Sequence, residues 1–400
     1  MQYDVAIIGA GIVGLAAAYQ LTEKQPGLRI AIIDKEEGIA RHQTDNNSGV
    51  IHSGIYYKPG GSKALNCARG YRYLLDFAKA HDIPHDLCGK VIVAIQPEEI
   101  PRLEKILTTG QENGLKGIRM ISREECREIE PHVDALQAIW VPQSGIISYR
   151  AVAEKYLELI QNKGGEAILG QAVKDIDLRP GQATVITKKR SIHCRLVINS
   201  TGLYSDKIAR LTMPEVDLQI IPFRGEYYEL KPEKQHLVNN LIYPVPNPNF
   251  PFLGVHFTRM IDGGIEAGPN AVLAFQREGY SRYDINWAEL IETLSYSGFQ
   301  RIALKYWRDG LNELYRSYSK SAFVRALQHL IPEITAADLV RGGAGVRAMA
   351  CGPKGELIDD FLFLEKPGVI NVCNAPSPAA TASLAIGEVI AEKALKQLTH

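Results

Sequence analysis

The sequence predicts an α/β fold: a Rossmann-like G-x-G-x-x-G nucleotide-binding domain with an inserted domain built on a mostly antiparallel sheet. Three observations predict it. The first 34 residues read as strand, glycine turn, helix, strand and acid, the order of a dinucleotide-binding unit. A second buried strand, residues 194–200 (CRLVINS), runs straight into another glycine turn. Between residues 220 and 268 the pattern becomes a string of strands rich in proline and aromatics, unlike a further βαβ unit.

Residues 3–8 (YDVAII) are apolar and short enough for a buried strand, and Gly9-Ala10-Gly11-Ile12-Val13-Gly14 follows. Gly9 allows the tight turn, Gly11 lets backbone N–H groups approach a pyrophosphate, and Gly14 lets the helix pack close to the sheet. The helix over 12–25 places its partially positive N-terminus where the phosphates would lie. A strand over 29–33 ends on Asp34, at the offset where a carboxylate accepts a ribose hydroxyl. The apolar run 5–19 follows Asp4 rather than basic residues, so it reads as this unit and not as a signal-peptide core; it is also too short to span a bilayer.

The next segment, 40–61, is polar and glycine-containing with no clear period over its first half; such a connection in a compact domain is usually functional. Helical spacing returns over 62–81, a strand pair over 85–95, a helix over 97–114, and strand and turn over 139–148. Ser148 is placed to cap a helix over 149–163. A β pattern covers 164–186, helices with Tyr and Trp at core spacing cover 285–328, and strands at 357–364 and 369–373 precede a final helix over 381–399. With no repeat and no flexible linker, the expected division is discontinuous. Residues 1–85, 145–215 and 335–400 form the nucleotide domain, and 86–144 and 216–334 form the substrate domain.

The 45 basic and 45 acidic residues cancel, and no run of five like charges occurs, which argues against nucleic-acid binding. The six cysteines are scattered with no C-x-x-C pair, and no His/Cys/Asp group shows metal spacing. Reduced thiols and no metal are therefore expected.

The cofactor follows from its reach. A ligand touched by residues 9–14, 40–60, 200–205 and 345–381 must be extended and wrapped by both chain ends, which suits FAD better than a nicotinamide dinucleotide. The strand-end turn Thr201-Gly202 is placed to face it. The turn 374–381 (NAPSPAAT) feeds a helix whose N-terminus would stabilise negative charge on a reduced isoalloxazine. With no attachment motif around Cys67 or Cys88, the FAD is expected to be non-covalent.

The strings VINSTGLYSD, PFRGEYY, GVR and NAPSPAAT resemble the D-amino-acid oxidase/glycerol-3-phosphate dehydrogenase superfamily of flavoproteins. More narrowly, HQTDNNSGVIHSGIYYKPG, YPVPNPNFPFLGVHFTRMIDG, GPNAVLAFQREGY and NAPSPAATAS are similar to the L-2-hydroxyglutarate dehydrogenase/oxidase family, essentially end to end. The chain departs from that pattern at Asp45-Asn46, at Asp34 in place of Glu, and at the Asn199–Gly202 turn. The resemblance implies oxidation of L-2-hydroxyglutarate to 2-oxoglutarate, with electrons passed to a quinone or to oxygen. It also implies an FAD path along Gly9, Gly11, Gly14, Asp34, Lys35, Gln43, Thr44, Asn47, Ser48, Gly49, Val50, Val173, Thr201 and Gly202. Asn374, Ala375, Ser377, Pro378, Ala379, Ala380 and Thr381 would complete it. A cytoplasmic protein is expected, with peripheral contact to the inner membrane if the acceptor is a quinone. The rival readings are an amine oxidase of the glycine or sarcosine type and a non-catalytic nucleotide-binding protein.

Hydride loss from a 2-hydroxy acid needs a base for the hydroxyl proton, and neutral imidazole suits that role near pH 7. Two of the ten histidines stand in suitable strings: His52 in GVIHSG and His256 in FLGVHFT. A dicarboxylate needs anchoring cations, and the guanidinium fork pairs bidentately with carboxylates. Arg347 (AGVRA) is the first choice, since the corresponding arginine of related amino-acid oxidases faces the substrate carboxylate; Arg259 and Arg224 follow. Tyr56 and Tyr57 are candidate hydrogen-bond donors to substrate.

Overall fold

The start, middle and tail of the chain meet in one sheet. The structure, a computed structural model, describes residues 2–247 and 254–399; the 248–253 part of the YPVPNPNFPFLGVHF string lies outside the described residues. The sheet runs Leu362–Lys366, Val369–Asn374, Leu196–Asn199, Val5–Ile8, Ile30–Ile33 and Glu166–Ile168. All neighbours are parallel except the first two, which form an antiparallel edge. Strands VAII, IAII and LVIN are buried along their whole length, as strands covered on both faces must be. On one side lie the helices Ile12–Lys24, Ser62–Ala80, Tyr149–Asn162 and Ser383–Leu398, which share a core with the strands. The alanines of the first helix have a packing role: Gly387 of the last helix approaches the Ala16 backbone so closely that a Cβ would sit 2.6 Å from it. An antiparallel meander of Val173–Arg179, Gln182–Thr187 and Ser191–Cys194 covers the other side. Ser148 caps the helix Tyr149–Asn162, its hydroxyl accepting from Ala151 N.

A second, nine-stranded sheet is built from residues 90–141 and 219–351. Its middle runs Gln219–Leu230, Ile265–Gly268, His256–Arg259, Leu241–Pro244 and Lys90–Ala94, and Leu339–Cys351 pairs with Gln219–Leu230 over most of its length. One face is apolar and packs on Phe323, Val324, Leu327, Ile331 and Ile334. The period-2 alternation of strands turns the intervening residues to the opposite face. The registers Leu241↔Lys90, Ile242↔Phe257, Thr258↔Glu266, Tyr228↔Ala267 and Phe223↔Arg347 therefore align Lys90, Tyr243, His256, Thr258, Glu266, Tyr227 and Arg347 on that one face. A small sheet of Val50–Ile51, Gly145–Ile147 and His85–Asp86 carries the loop after residue 40 up to it.

Two features differ from the sequence expectation. The helical region 285–328 breaks into Trp287–Ser295, Ser297–Tyr318 and Lys320–Gln328, and of its Tyr and Trp residues only Tyr296 and Tyr306 pack on a core cluster. Trp287, Trp307, Tyr315 and Tyr318 are exposed; the helical spacing was real, but it describes an outward stripe, because Ile302, Glu313 and Ser317 occupy the inner face. Strand Leu339–Cys351, moreover, belongs to the second sheet rather than to the parallel one. We propose that the domain division follows sheet membership, so that the last nucleotide-domain segment begins after this strand.

Asp206, in the helix after Leu196–Asn199, ties the two sheets together. Its carboxylate is fully buried and accepts from both terminal nitrogens of Arg277, at 2.5 and 2.9 Å. Arg277 also donates to Leu203 O. Removing one partner of such a buried pair strands the other charge, at a cost of about 3–5 kcal/mol. Arg277→Met should thus lower the urea midpoint of the folded protein sharply, whereas the surface change Arg179→Met should leave it nearly unchanged.

Candidate active site

The glycine turn is shaped by contacts that exclude any side chain. Gly9 has φ +107°, and a Cβ there would lie 2.4 Å from Ser200 O; at Gly14 it would lie 2.2 Å from Gly9 O. Ala10 N donates to Asp34 Oδ2 at 2.6 Å and Glu36 N to Oδ1 at 2.9 Å, which fixes the carboxylate at the strand end. Thr44 reaches the helix N-terminus, accepting from Ile12 N at 3.0 Å. Asn47 braces the loop internally, bonding Gln43 O, Thr44 O and Gly49 N. Gly202 lies against the Gln43 amide, and Thr201 is held by Asn199. Lys35 and His42 both contact Glu278, and His42 Nδ1 meets the Tyr280 hydroxyl, so the REGY string of the second domain clamps the loop. Val173 begins the meander and packs on the core beneath the parallel sheet.

At the far end of this path the Thr381 hydroxyl accepts from His52 N at 3.1 Å and meets the Tyr149 hydroxyl at 2.6 Å. Ala375, Ala379 and Ala380 pack on the helical core, Pro378 is buried, and Asn374 holds Ile358 O and Asp360 O. The loop that begins near residue 40 thus ends with His52 beside the N-terminus of the last helix. Val50 O accepts from the Tyr149 hydroxyl, and Ser48 lies beside the Tyr243 hydroxyl.

His256 feels His52, and both feel Arg347 and Lys90. His256 is 4% exposed; its ring stacks on Tyr243 at 4.0 Å and its Nδ1 meets the Thr258 hydroxyl at 3.1 Å. Burial and the surrounding cations push His52 down to about 3 and His256 well below the usual range, so both are neutral at pH 7. Arg347 reaches this face because Gly345, two residues earlier, lets the strand pass the flavin-loop backbone; a Cβ there would sit 2.4 Å from Asn46 O.

Not all predicted residues converge. Arg224 is buried in an ion pair with Glu226 at 3.1 Å and donates to Ser281 O; it points to the opposite face from Arg347's partner Phe223. Arg259 forms a half-exposed pair with Asp86 at 3.0 Å, one step out of phase with His256 and Thr258. Tyr57 lies beside Ser377 with the Lys63 ammonium over its ring, while Tyr56 has a buried hydroxyl with no partner among the described residues. Sequence reasoning missed Lys90, Tyr243 and Thr258. A lysine opening the fully buried strand KVIVA was a usable signal for the first.

Residues 4–393 match the family described as FAD dependent oxidoreductase. The chain is 54% identical to an L-2-hydroxyglutarate dehydrogenase of Indibacter alkaliphilus, over 99% of this chain and 100% of that one. The chain belongs to the L-2-hydroxyglutarate dehydrogenase family. Its human mitochondrial member is 44% identical over 98% of this chain and 88% of its own length, and an Escherichia coli member is 43% identical over 98% and 93%. In fold it is similar to an FAD-bound L-α-glycerophosphate oxidase from Mycoplasma pneumoniae, with a TM-score of 0.80 at 22% identity, covering 100% of this chain and 95% of that one.

FAD is the cofactor of this family, and the residues present fit it. The turn leaves room for a phosphate beside backbone where no Cβ fits, Asp34 is fixed with lone pairs to spare for ribose, and Ser53, Tyr56 and Ser200 keep buried hydroxyls without partners among the described residues. Three His/Glu side chains, Glu36, His42 and Glu278, come close enough to hold a metal, but Lys35 ion-pairs both acids in their midst.

Two outcomes follow from this geometry. Gly9→Ala should purify without yellow colour, read as loss of flavin absorbance per protein. Between pH 6.5 and about 3 the unfolded chain binds a proton at His52 that the native state does not. Stability therefore rises with pH across that window and is lost as pH falls, by up to about 1.4 kcal/mol per pH unit for each such histidine. Urea midpoints measured from pH 6.5 to 5 should fall less steeply in His52→Asn than in the parent.

Proposed function

We propose that the protein oxidises L-2-hydroxyglutarate to 2-oxoglutarate. One observation carries the reading: two neutral imidazoles, His52 and His256, lie within electrostatic reach of the same two basic side chains, Arg347 and Lys90, with Lys63 also acting on His52. Such an arrangement suits a dianion whose hydroxyl must lose a proton. The names of the relatives support the same substrate.

The Arg347 fork binds the carboxylate next to the reacting carbon and fixes its plane. His256, with Nδ1 engaged by Thr258 and its ring held on Tyr243, orients the hydroxyl through Nε2. His52, whose ring makes no hydrogen bond among the described residues, accepts the hydroxyl proton. Arriving carboxylates offset the neighbouring cations and raise its affinity for that proton. FAD, when bound, supplies the acceptor for the hydride from Cα. The N-terminus of helix Ser383–Leu398 favours the negative charge that follows. Residues 9–14, 34–50, 200–202 and 374–381 hold the dinucleotide.

A quinone acceptor at a membrane surface is favoured over oxygen by the outward stripe of residues 283–318. Trp287, Ile291, Leu294, Leu304, Trp307, Leu311, Tyr315 and Tyr318 are exposed there. The most exposed charges of that stretch are Arg301, Lys305 and Arg308, while its acids Asp284, Glu289, Glu292 and Asp309 are only partly exposed. Aromatic and aliphatic side chains with flanking cations suit an anionic lipid surface. No helix of the described residues is long and apolar enough to cross a membrane.

Anaerobic mixing with L-2-hydroxyglutarate should bleach the flavin, while glycine, sarcosine and D-2-hydroxyglutarate should not; bleaching by sarcosine alone would overturn the reading. His52→Asn should retain FAD and lose reduction by roughly 100-fold or more, the scale of a general base. Trp307→Asp with Leu304→Asp should release the protein from anionic vesicles and slow turnover with a quinone analogue, leaving flavin reduction intact.

A further inference from the structure

One fully buried cation has no counter-charge among the described residues. Lys90 opens the strand Lys90–Ala94, is 1% exposed, and makes no hydrogen bond or ion pair among the described residues. Its ammonium is flanked by the rings of Tyr56 and Tyr243, at 4.8 and 4.9 Å from their centroids. Ring faces soften the burial of a cation but do not replace a counter-charge. The Tyr56 hydroxyl is likewise buried and without a partner among the described residues. An aliphatic side chain would serve the fold better at this point of a fully buried strand. A cation held there lacks only an anion.

The sheet register says which anion. Arg347 and Lys90 lie on the same face as His256 but on opposite flanks: Lys90 two strands to one side, Arg347 beyond the strands Ile265–Gly268 and Gln219–Leu230 on the other. A ligand with one carboxylate would leave one flank unmatched. We propose that the Lys90 ammonium anchors the carboxylate remote from the reacting carbon, and so makes this site select a dicarboxylate over a 2-hydroxy monocarboxylate. This rests on the function proposed above. The division of labour fits the two cations. A planar fork fixes the carboxylate adjacent to Cα, where orientation decides the reaction, and a point charge on a flexible stem takes the end of a flexible chain. Burial pushes Lys90 down to about 7, so an arriving carboxylate also secures its proton.

The test uses FAD-loaded wild-type, Lys90→Met and Lys90→Arg proteins. It measures thermal midpoint, the dissociation constants of 2-oxoglutarate and 2-oxovalerate from the flavin spectrum, and kcat and KM with L-2-hydroxyglutarate and L-2-hydroxyvalerate. Lys90→Met should melt higher than wild type, as relief of a buried unpaired charge requires. It should bind 2-oxoglutarate roughly 100-fold more weakly, with 2-oxovalerate little changed. KM for the dicarboxylate should rise more than kcat falls, and Lys90→Arg should restore part of the loss. Equal losses for both ligands, a loss confined to kcat, or a lower melting point would each overturn the proposal. If L-2-hydroxyglutarate fails to bleach the wild type, the functional reading fails; if it bleaches and Lys90→Met keeps the dicarboxylate preference, only this inference does.

Discussion

The whole arrangement depends on keeping positive charge buried on one face of a β-sheet. A sheet with a hydrophobic core on one side normally turns its other side to water. Here that other side instead closes over the end of the proposed nucleotide path, and alternation places Lys90, His256 and Arg347 on it from three separate strands. Burying the Lys90 ammonium with no counter-charge among the described residues costs stability, and the fold tolerates that because the large apolar core behind the sheet and the buried Asp206–Arg277 pair hold the two sheets together. Strain of this kind at a binding face is what a site prepared for an anion looks like from inside the protein.

The parallel sheet solves a different problem. The proposed FAD path needs the glycine turn at one end and the last helix's N-terminus at the other, and no single stretch of chain supplies both. Pairing Val5–Ile8 with Leu196–Asn199, and that strand with Val369–Asn374, brings the glycine turn, the Thr201-Gly202 turn and the last helix to the same edge. The loop from residue 40 then runs between the sheets, clamped by Glu278 and Tyr280 at one end and by Thr381 at the other. Gly345 is the close-packing point where the second sheet touches this loop. Loop and arginine strand therefore cannot shift independently.

Much of this was legible in the sequence, for reasons that are local. The glycine turn, Asp34 and the Ser148 cap each follow from short-range geometry, and the structure forms all three elements where spacing put them. What was not legible depends on register between distant strands. Nothing in the residues around Lys90 says that it shares a face with His256, because that follows from pairing Leu241 with Lys90 and Ile242 with Phe257. Arg224 and Arg259 look as suitable as Arg347 in isolation, yet alternation turns each the other way and an acid occupies each. The aromatic helix Ser297–Tyr318 misled for the reverse reason: helical spacing reveals a face but not which side of the molecule it meets.

The account is tested most directly by rapid anaerobic mixing of the FAD-loaded protein with L-2-hydroxyglutarate carrying deuterium at C2, followed at the flavin absorbance. Breaking the C2–H bond at this face predicts complete bleaching that is slower for the deuterated substrate and absent for its mirror image. Bleaching indifferent to deuterium and to chirality, or none at all, would contradict it.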